Sequence, residues 1–189
     1  GRGRGGGGGR SWTPRCAGIK GPYLPEPRPG FGQCVHKGAR DSANPARLYA
    51  QKHHGVYSSD DNGATCASID DGLPTDFGFT VLAHPTKGDT LWLIPVTADG
   101  ERIPPGGQLQ VQRSSDAGAS WVTCAQGLPA PSYTCVLRDA AAADTQKEAG
   151  VYFGTRNGDV YGSSNEGESF FRIAEQLPDV LCVRAAVLS

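Results

Sequence analysis

SSDAGASW, residues 114–121, has two counterparts in the chain: residues 59–66 read SDDNGATC and residues 163–170 read SSNEGESF. All three follow the pattern Ser-x-Asp/Asn-x-Gly-x-Ser/Thr and close with Trp, Cys or Phe. We call these octapeptides the boxes. They start 55 and 49 residues apart, a period that is typical of β-propeller blades.

Each box has the residues of a tight turn between two strands. Its glycine supplies the positive φ that such a turn needs, and its Asp or Asn oxygen accepts from the backbone N–H groups at the tip. A carboxylate engaged in this way has a lowered pKa, which does not suit a general acid. We therefore predict a structural role for the box residues, namely Ser59, Asp61, Gly63, Ser114, Asp116, Gly118, Trp121, Ser163, Asn165, Gly167 and Phe170.

Short apolar runs surround every box. A strand-like run precedes it, a short strand ending in Leu-Pro follows it, and another apolar run comes after the Leu-Pro. Each repeat is therefore four short strands, A to D, with the box as the C–D turn. The sequence predicts an all-β fold over residues 22–189: about three propeller blades of four antiparallel strands and the start of a fourth.

The N-terminal segment differs in composition. It begins GRGRGGGGGR, which cannot bury apolar surface, so we expect a disordered Gly/Arg-rich leader over residues 1–21. The chain contains no methionine, which indicates a fragment or a processed product. Three blades do not close a ring, and the missing blades are expected from a longer chain or from a second copy.

Charge and cysteine usage exclude several classes of function. Lys and Arg number 18 against 19 Asp and Glu, so binding to nucleic acid is not expected. No apolar run is long enough to cross a membrane and no secretion signal is visible, which favours a cytoplasmic protein.

None of the six cysteines forms a C-x2-C pair, so we predict free thiols, no metal site and no cofactor. Three of them recur beside valine at the same place in three A strands: Cys34, Cys135 and Cys182.

The boxes and their context resemble the Asp-box, or BNR, repeats of sialidase-like β-propellers. Segments such as LYAQKHHGVYSSDDNGATC, DGERIPPGG and GVYFGTRNGDVYGSSNEGES are similar to bacterial propellers labelled glycosyl hydrolase or exo-α-sialidase. The resemblance covers about residues 22–188. It implies the fold strongly and the activity weakly, because one fold serves many functions.

The resemblance also implies which face binds a ligand. In sialidases it is the face opposite the boxes, which the B–C and D–A loops form. The predicted ligand-binding residues there are His53, His54, Arg102, Arg156 and Asp179, and the candidate catalytic residues are Asp76, Glu101 and Tyr133. The two adjacent histidines could exchange a proton or bind a metal with a third ligand from another loop.

Arg102 begins an Arg-Ile-Pro sequence, a motif whose arginine grips the substrate carboxylate in sialidases. In this chain the motif lies between the first and second boxes rather than before all of them.

Two functions stay open: a sialidase-type glycoside hydrolase, and a non-catalytic propeller that binds a glycan or a protein. A third alternative is an inactive truncated product, and we expect the isolated chain to show little or no turnover.

Overall fold

The computed structural model describes residues 3–6, 9–21 and 34–188. These residues form one two-stranded hairpin followed by three four-stranded antiparallel sheets, each made of strands that are consecutive in the chain. The predicted all-β fold of partial propeller type is therefore confirmed. A short 3-10 helix, Pro105–Gly107, lies in the B–C loop of the second sheet.

The strands are numbered in chain order. The hairpin contains β1 (Gly3–Gly6) and β2 (Ser11–Pro14). Blade one contains β3 (Val35–Arg40), β4 (Leu48–Lys52), β5 (Val56–Ser59) and β6 (Ala67–Ser68). Blade two contains β7 (Gly78–Ala83), β8 (Leu91–Pro95), β9 (Val111–Ser114) and β10 (Val122–Cys124). Blade three contains β11 (Ala141–Ala143), β12 (Val151–Gly154), β13 (Val160–Ser163) and β14 (Phe171–Ala174).

Burial follows from the stacking of the blades. The β8 sequence LWLIP is buried at every position, because blades one and three cover both faces of the middle blade. A strand enclosed on both faces reads as a continuous apolar run instead of an alternating one. Two clusters fill the spaces between blades: one around Tyr49, Val81 and Leu93, and a larger one around Trp92, Val111 and Phe153.

The boxes form the C–D turns. In the second box the Ser114 hydroxyl accepts from the Gly118 N–H at 2.8 Å, and Asp116 accepts from the Ser120 N–H at 2.9 Å and from the Ser120 hydroxyl. Asp61 makes the same contacts, and the Thr65 N–H and hydroxyl, with Ser59, lower the pKa of Asp61 to about 2. These carboxylates are committed to the turn.

The N-terminal hairpin differs from the predicted disordered leader, because it has the geometry of a box hairpin. The residue before each box pairs with the residue after its closing side chain, as in Arg113↔Val122 and Ser58↔Ala67, and Arg4↔Thr13 has the same register. Gly9 has φ 87°, close to the 91° of Gly118. The described residues of this hairpin thus match the ends of a fourth, degenerate box; residues 7 and 8 lie outside the described residues.

The chain after this hairpin attaches to blade one. Ala17 bridges Thr65 in parallel, and Gln126 bridges Ser169 in the same way between blades two and three. Cys16 and Ile19 are buried with Tyr57. Backbone pairing needs no particular side chain, and these two apolar residues provide the anchor. The disorder expected for residues 1–21 stays a prediction. Residues 22–33 lie outside the described residues.

The A–B turns contain a second repeated structural motif. Asp41, His84 and Asp144 occupy equivalent turns, and each is followed eight residues later by an aromatic residue that contacts it. Asp41 accepts from three backbone N–H groups and from the Tyr49 hydroxyl at 3.2 Å. In blade two His84 Nδ1 accepts from the Thr86 and Lys87 N–H groups at 3.1 and 2.9 Å, and its ring stacks on Trp92.

This turn makes stability depend on pH. Burial lowers the pKa of His84, although Glu166 at 3.5 Å from Nε2 opposes the effect. The unfolded chain therefore takes up a proton near pH 6.5 before the folded chain does, and stability falls as the pH drops below that value. Between pH 7.5 and 5.5 we expect His84 to contribute a loss of at most about 1.4 kcal/mol, measured by urea unfolding.

His84→Asn is the matched control for this prediction. Its amide oxygen can accept from the same two N–H groups and does not titrate. The variant should lose less stability than the wild type over the same pH interval. Equal losses in the two proteins would show that His84 does not sense the pH.

The outer face of blade three is uncovered. Ile173 is 51% exposed, whereas Cys124, its equivalent in blade two, is 5% exposed beneath blade three. Leu177 is also exposed. The surface that blades one and two bury against a following blade is therefore open to solvent in blade three. Among the described residues no helix is long and apolar enough to cross a membrane.

Candidate functional site

The functional side chains gather where the inner strands begin, on the face opposite the boxes. His36 lies in β3, His53 and His54 follow β4, and Phe77 and Phe79 lie at the start of β7. The B–C loop of blade two adds Asp99 and Arg102, and the segment before β11 adds Arg138. We call this set the inner-face cluster: His36, His53, His54, Phe77, Phe79, Asp99, Arg102 and Arg138.

Aromatic contacts hold the cluster together. The His53 ring centroid is 4.9 Å from that of His54 and 5.3 Å from that of Phe77, both in edge-to-face arrangements. The His36 centroid is 5.0 Å from that of Phe79 and 5.6 Å from that of His53. Phe77 and Phe79 are buried, so they support the neighbouring side chains and offer no stacking surface to a ligand.

His36 is fixed by a hydrogen bond between neighbouring blades. Its Nδ1 lies 2.6 Å from the Gly78 carbonyl oxygen, so Nδ1 carries the proton and donates. The residue is 8% exposed, and burial lowers its pKa against the opposing effect of this hydrogen bond. A neutral ring with a defined tautomer results, and Nε2 is left as the acceptor.

Two guanidinium groups contact the Phe79 ring. The Cζ atoms of Arg102 and Arg138 each lie 5.3 Å from its centroid, a cation–π distance. Arg102 also pairs with Asp99 at 2.7 Å, and this hydrogen bond lowers the pKa of the Asp99 carboxyl group. Within residues 3–6, 9–21 and 34–188, no carboxylate lies within 4.0 Å of Arg138, which is exposed.

Blade three brings Arg156 and Asp179 together. Asp179 Oδ2 accepts from Arg156 Nη2 at 2.7 Å and from Nε at 3.0 Å, and the pairing raises the pKa of Arg156. Both groups lie beside Cys135, whose pKa burial raises while the charges of Arg156 and Arg102 oppose the effect. Arg156 and Asp179 thus stand on the same face as the cluster, but they neutralise each other.

The three candidate catalytic residues do not form a unit. Asp76 is exposed, and its backbone carbonyl accepts from the Gly55 N–H and from Gln51. Glu101 is exposed at a turn whose backbone pairs with Ala98. Tyr133 is 68% exposed. The described residues show no hydrogen bond that joins any two of these three side chains.

The carboxylates of the cluster do not have the environment of a general acid. A glycosidase needs one carboxyl group with a raised pKa and a second that acts as base or nucleophile. Here Asp99 has a lowered pKa, and Asp99 and Asp179 are each paired with an arginine. The arrangement can receive a carboxylate from a ligand through its arginines.

Sequence reasoning missed His36 and Arg138. His36 follows Cys34 and Val35, and its position two residues after a recurring cysteine was a usable signal. Arg138 had none. It lies in an irregular stretch between Cys135 and β11, where the Ala140 N–H bonds to the Leu137 carbonyl oxygen, and only the fold brings it to Phe79.

Three consecutive four-stranded sheets that stack on one another define this chain as part of a β-propeller. No family model and no curated protein sequence matches it. Solved structures do match in fold. An ancestral GH74 enzyme superimposes with a TM-score of 0.62 and 23% identity, over 88% of this chain and 20% of that enzyme.

Two further structures share the fold. YCF48 bound to D1 peptide matches with a TM-score of 0.52 and 13% identity, over 78% of this chain and 43% of YCF48. The GH74 xyloglucanase of Xanthomonas campestris matches with a TM-score of 0.50 and 15% identity, over 80% of this chain and 24% of the enzyme. The chain thus spans less than half the length of each of these propellers.

Proposed function

We propose that this protein is a propeller segment that binds a carboxylate-bearing glycan on its inner face without turning it over. The observation that carries the proposal is the placement of Arg102 and Arg138 on one phenylalanine ring, Phe79. Contact with this ring positions both guanidinium groups side by side in the inner-face cluster. A planar guanidinium recognises a carboxylate through two parallel hydrogen bonds.

Arg138 is the principal anion-binding residue in this proposal. It is exposed, and the described part of the chain gives it no ion-pair partner, whereas Arg102 and Arg156 already bind Asp99 and Asp179. Burial of Phe79 restricts the orientation of the guanidinium before the ligand arrives. A pre-positioned group loses less conformational entropy on binding.

The resemblance to sialidase-like propellers supports a glycan as the ligand. Arg102 stands in the Arg-Ile-Pro sequence whose arginine binds the substrate carboxylate in that family, and here it lies beside Arg138 on Phe79. The fold shared with GH74 enzymes adds support for a carbohydrate ligand. The box carboxylates Asp61 and Asp116 lie in turns on the opposite face and are committed to those turns.

Turnover is not part of this function. Hydrolysis requires opposing groups held at a set separation around the propeller axis, and the described part of the chain forms three blades and one hairpin. The uncovered Ile173 and Leu177 support the packing of a further blade, either from a longer chain or from a second copy. Completion of the ring would add the remaining ligand contacts.

The test compares two ligands and two variants by isothermal titration calorimetry. Sialyllactose should bind and lactose should bind at least about tenfold more weakly, because only the former has a carboxylate for a charge-assisted hydrogen bond. Arg138→Gln should weaken sialyllactose binding about tenfold or more. Arg172→Gln should not, because Arg172 lies on the outermost strand and pairs with Glu175 at 2.9 Å.

Equal affinity for the two sugars, or unchanged affinity in Arg138→Gln, would contradict the proposal. Turnover of a fluorogenic sialoside that disappears in Arg102→Ala would instead establish the hydrolase alternative. The titrations and this turnover assay together separate binding from catalysis.

A peptide is the second candidate ligand, since YCF48, which shares this fold, was solved with a D1 peptide. A peptide with a free C-terminal carboxylate would use the same Arg138. Parallel titrations with such a peptide and its C-terminally amidated form distinguish the two ligand classes. Binding of the free peptide alone, with no response to sialyllactose, would favour this second function.

A further inference from the structure

Three metal-ligating side chains meet at one corner of the inner-face cluster. They are Cys34, just before β3, His36 within β3, and His53, directly after β4. One ligand atom from each lies within 4.8 Å of the others. No metal site was expected from the sequence, because it has no C-x2-C pair and because His53 and His54 would need a third ligand from another loop. The present set instead combines one thiol with two imidazoles.

The backbone explains why these residues meet. The His53 N–H donates to the Cys34 carbonyl oxygen at 3.0 Å, which sets the start of β3 beside the end of β4. The register of β3 shifts between Val35 and Lys37, so His36 lies at a β-bulge, where its side chain comes close to that of Cys34. The pairing of two neighbouring strands thus brings together a C-x-H unit and a histidine that is distant in sequence.

We propose that Cys34, His36 and His53 bind a zinc ion, with the fourth coordination position open to water or to a ligand. One thiolate and two imidazoles form a donor set that zinc accepts in tetrahedral geometry. In such a site the ligand atoms are about 3.3 to 3.6 Å apart, so metal binding would draw the present ligand atoms, which lie within 4.8 Å of one another, closer together.

The surroundings of the imidazoles favour the proposal. A metal-bound histidine usually donates its other ring N–H to a carbonyl or carboxylate oxygen, which fixes the tautomer. His36 already does so, from Nδ1 to the Gly78 carbonyl oxygen at 2.6 Å, and this leaves Nε2 for the metal. Asp99 Oδ2 lies 3.9 Å from His53 Nε2, where a small rotation would make the equivalent contact.

This site goes beyond the proposed glycan binding, and its test needs no sugar. The chain is first treated with EDTA and then titrated with zinc alone against a chromophoric chelator. We expect one zinc ion per chain. Cys34→Ser and His53→Asn should each weaken zinc binding at least about 100-fold, because even outer-shell changes cost 10- to 100-fold. Circular dichroism of each variant checks that it folds.

Two matched controls come from the same chain. Cys182→Ser changes another exposed cysteine, and His54→Asn changes the neighbouring imidazole, whose ring is 4.9 Å from that of His53. Neither should alter zinc affinity by more than about threefold, because neither removes a ligand. Co²⁺ in place of zinc should give a thiolate charge-transfer band and the strong visible absorption of a tetrahedral ion.

Zinc should also protect one thiol of the native chain from a thiol reagent, and this protection should be absent in His53→Asn. The proposal is overturned if Cys34→Ser binds zinc as tightly as the wild type does. It is equally overturned if the cobalt spectrum lacks the thiolate band. Affinity lost in His54→Asn but kept in His53→Asn would place the metal elsewhere and would also contradict it.

Discussion

Gly127→Ala is expected to destabilise the protein by roughly 3 to 5 kcal/mol. Gly127 has φ 82°, a region that costs alanine about 1 to 2 kcal/mol. Its new Cβ would also overlap the Phe170 carbonyl oxygen and lie 3.0 Å from the Phe170 carbonyl carbon. Thermal unfolding should show a decrease in Tm of roughly 10 °C.

The steric clash between the new Cβ and Phe170 lies at the backbone connection between blades two and three. The Phe170 N–H donates to the Gln126 carbonyl oxygen at 2.9 Å, and Gln126 bridges Ser169. A Cβ at position 127 forces these two backbones apart, so the inter-blade hydrogen bond and the packing of Phe170 are weakened together. Backbone atoms on both sides leave little room for relaxation.

Gly72→Ala is the matched control. Gly72 occupies the equivalent position in blade one with the same φ of 82°, but a Cβ there would meet nothing within 4 Å. Only the conformational cost remains, so we expect a loss of about 1 to 2 kcal/mol. Similar losses in the two variants would mean that the inter-blade contact at Gly127 contributes nothing.

The repeats made most of the fold predictable. Their glycines and Asx residues define the C–D turns, and the apolar runs on either side define the strands of each blade. The N-terminal hairpin was not predicted from the sequence, because its degenerate box has glycine where the other boxes have Ser and Asp or Asn. Gly9, Ser11 and Trp12 are the only matching residues there, and backbone pairing leaves no mark on composition.

The site was predictable only in part. His53, His54 and Arg102 were identified from loop position and residue type, and the structure places all three in the inner-face cluster. Arg156 and Asp179 lie on the same face but pair with each other. His36 and Arg138 depend on contacts between blades, His36 with Gly78 and Arg138 with Phe79, and no local pattern encodes such contacts.

Phe170→Ala is expected to lower the free energy of unfolding by about 3 to 5 kcal/mol, measured by urea denaturation. Phe170 closes the third box, is 5% exposed, and packs edge to face against Phe153 with centroids 5.5 Å apart. It belongs to the apolar cluster between blades two and three. Its removal leaves a cavity that the surrounding strands, held by their hydrogen bonds, cannot fill.

Phe171→Ala, one position further on, provides the control with the same change of side chain. Phe171 is 54% exposed on β14, so its truncation should cost no more than about 1 kcal/mol. A large difference between the two variants would establish that the closing aromatic residue of a box joins one blade to the next. Equal and small losses would mean that the backbone hydrogen bonds of the box suffice for the fold, and that its last residue packs without stabilising the contact.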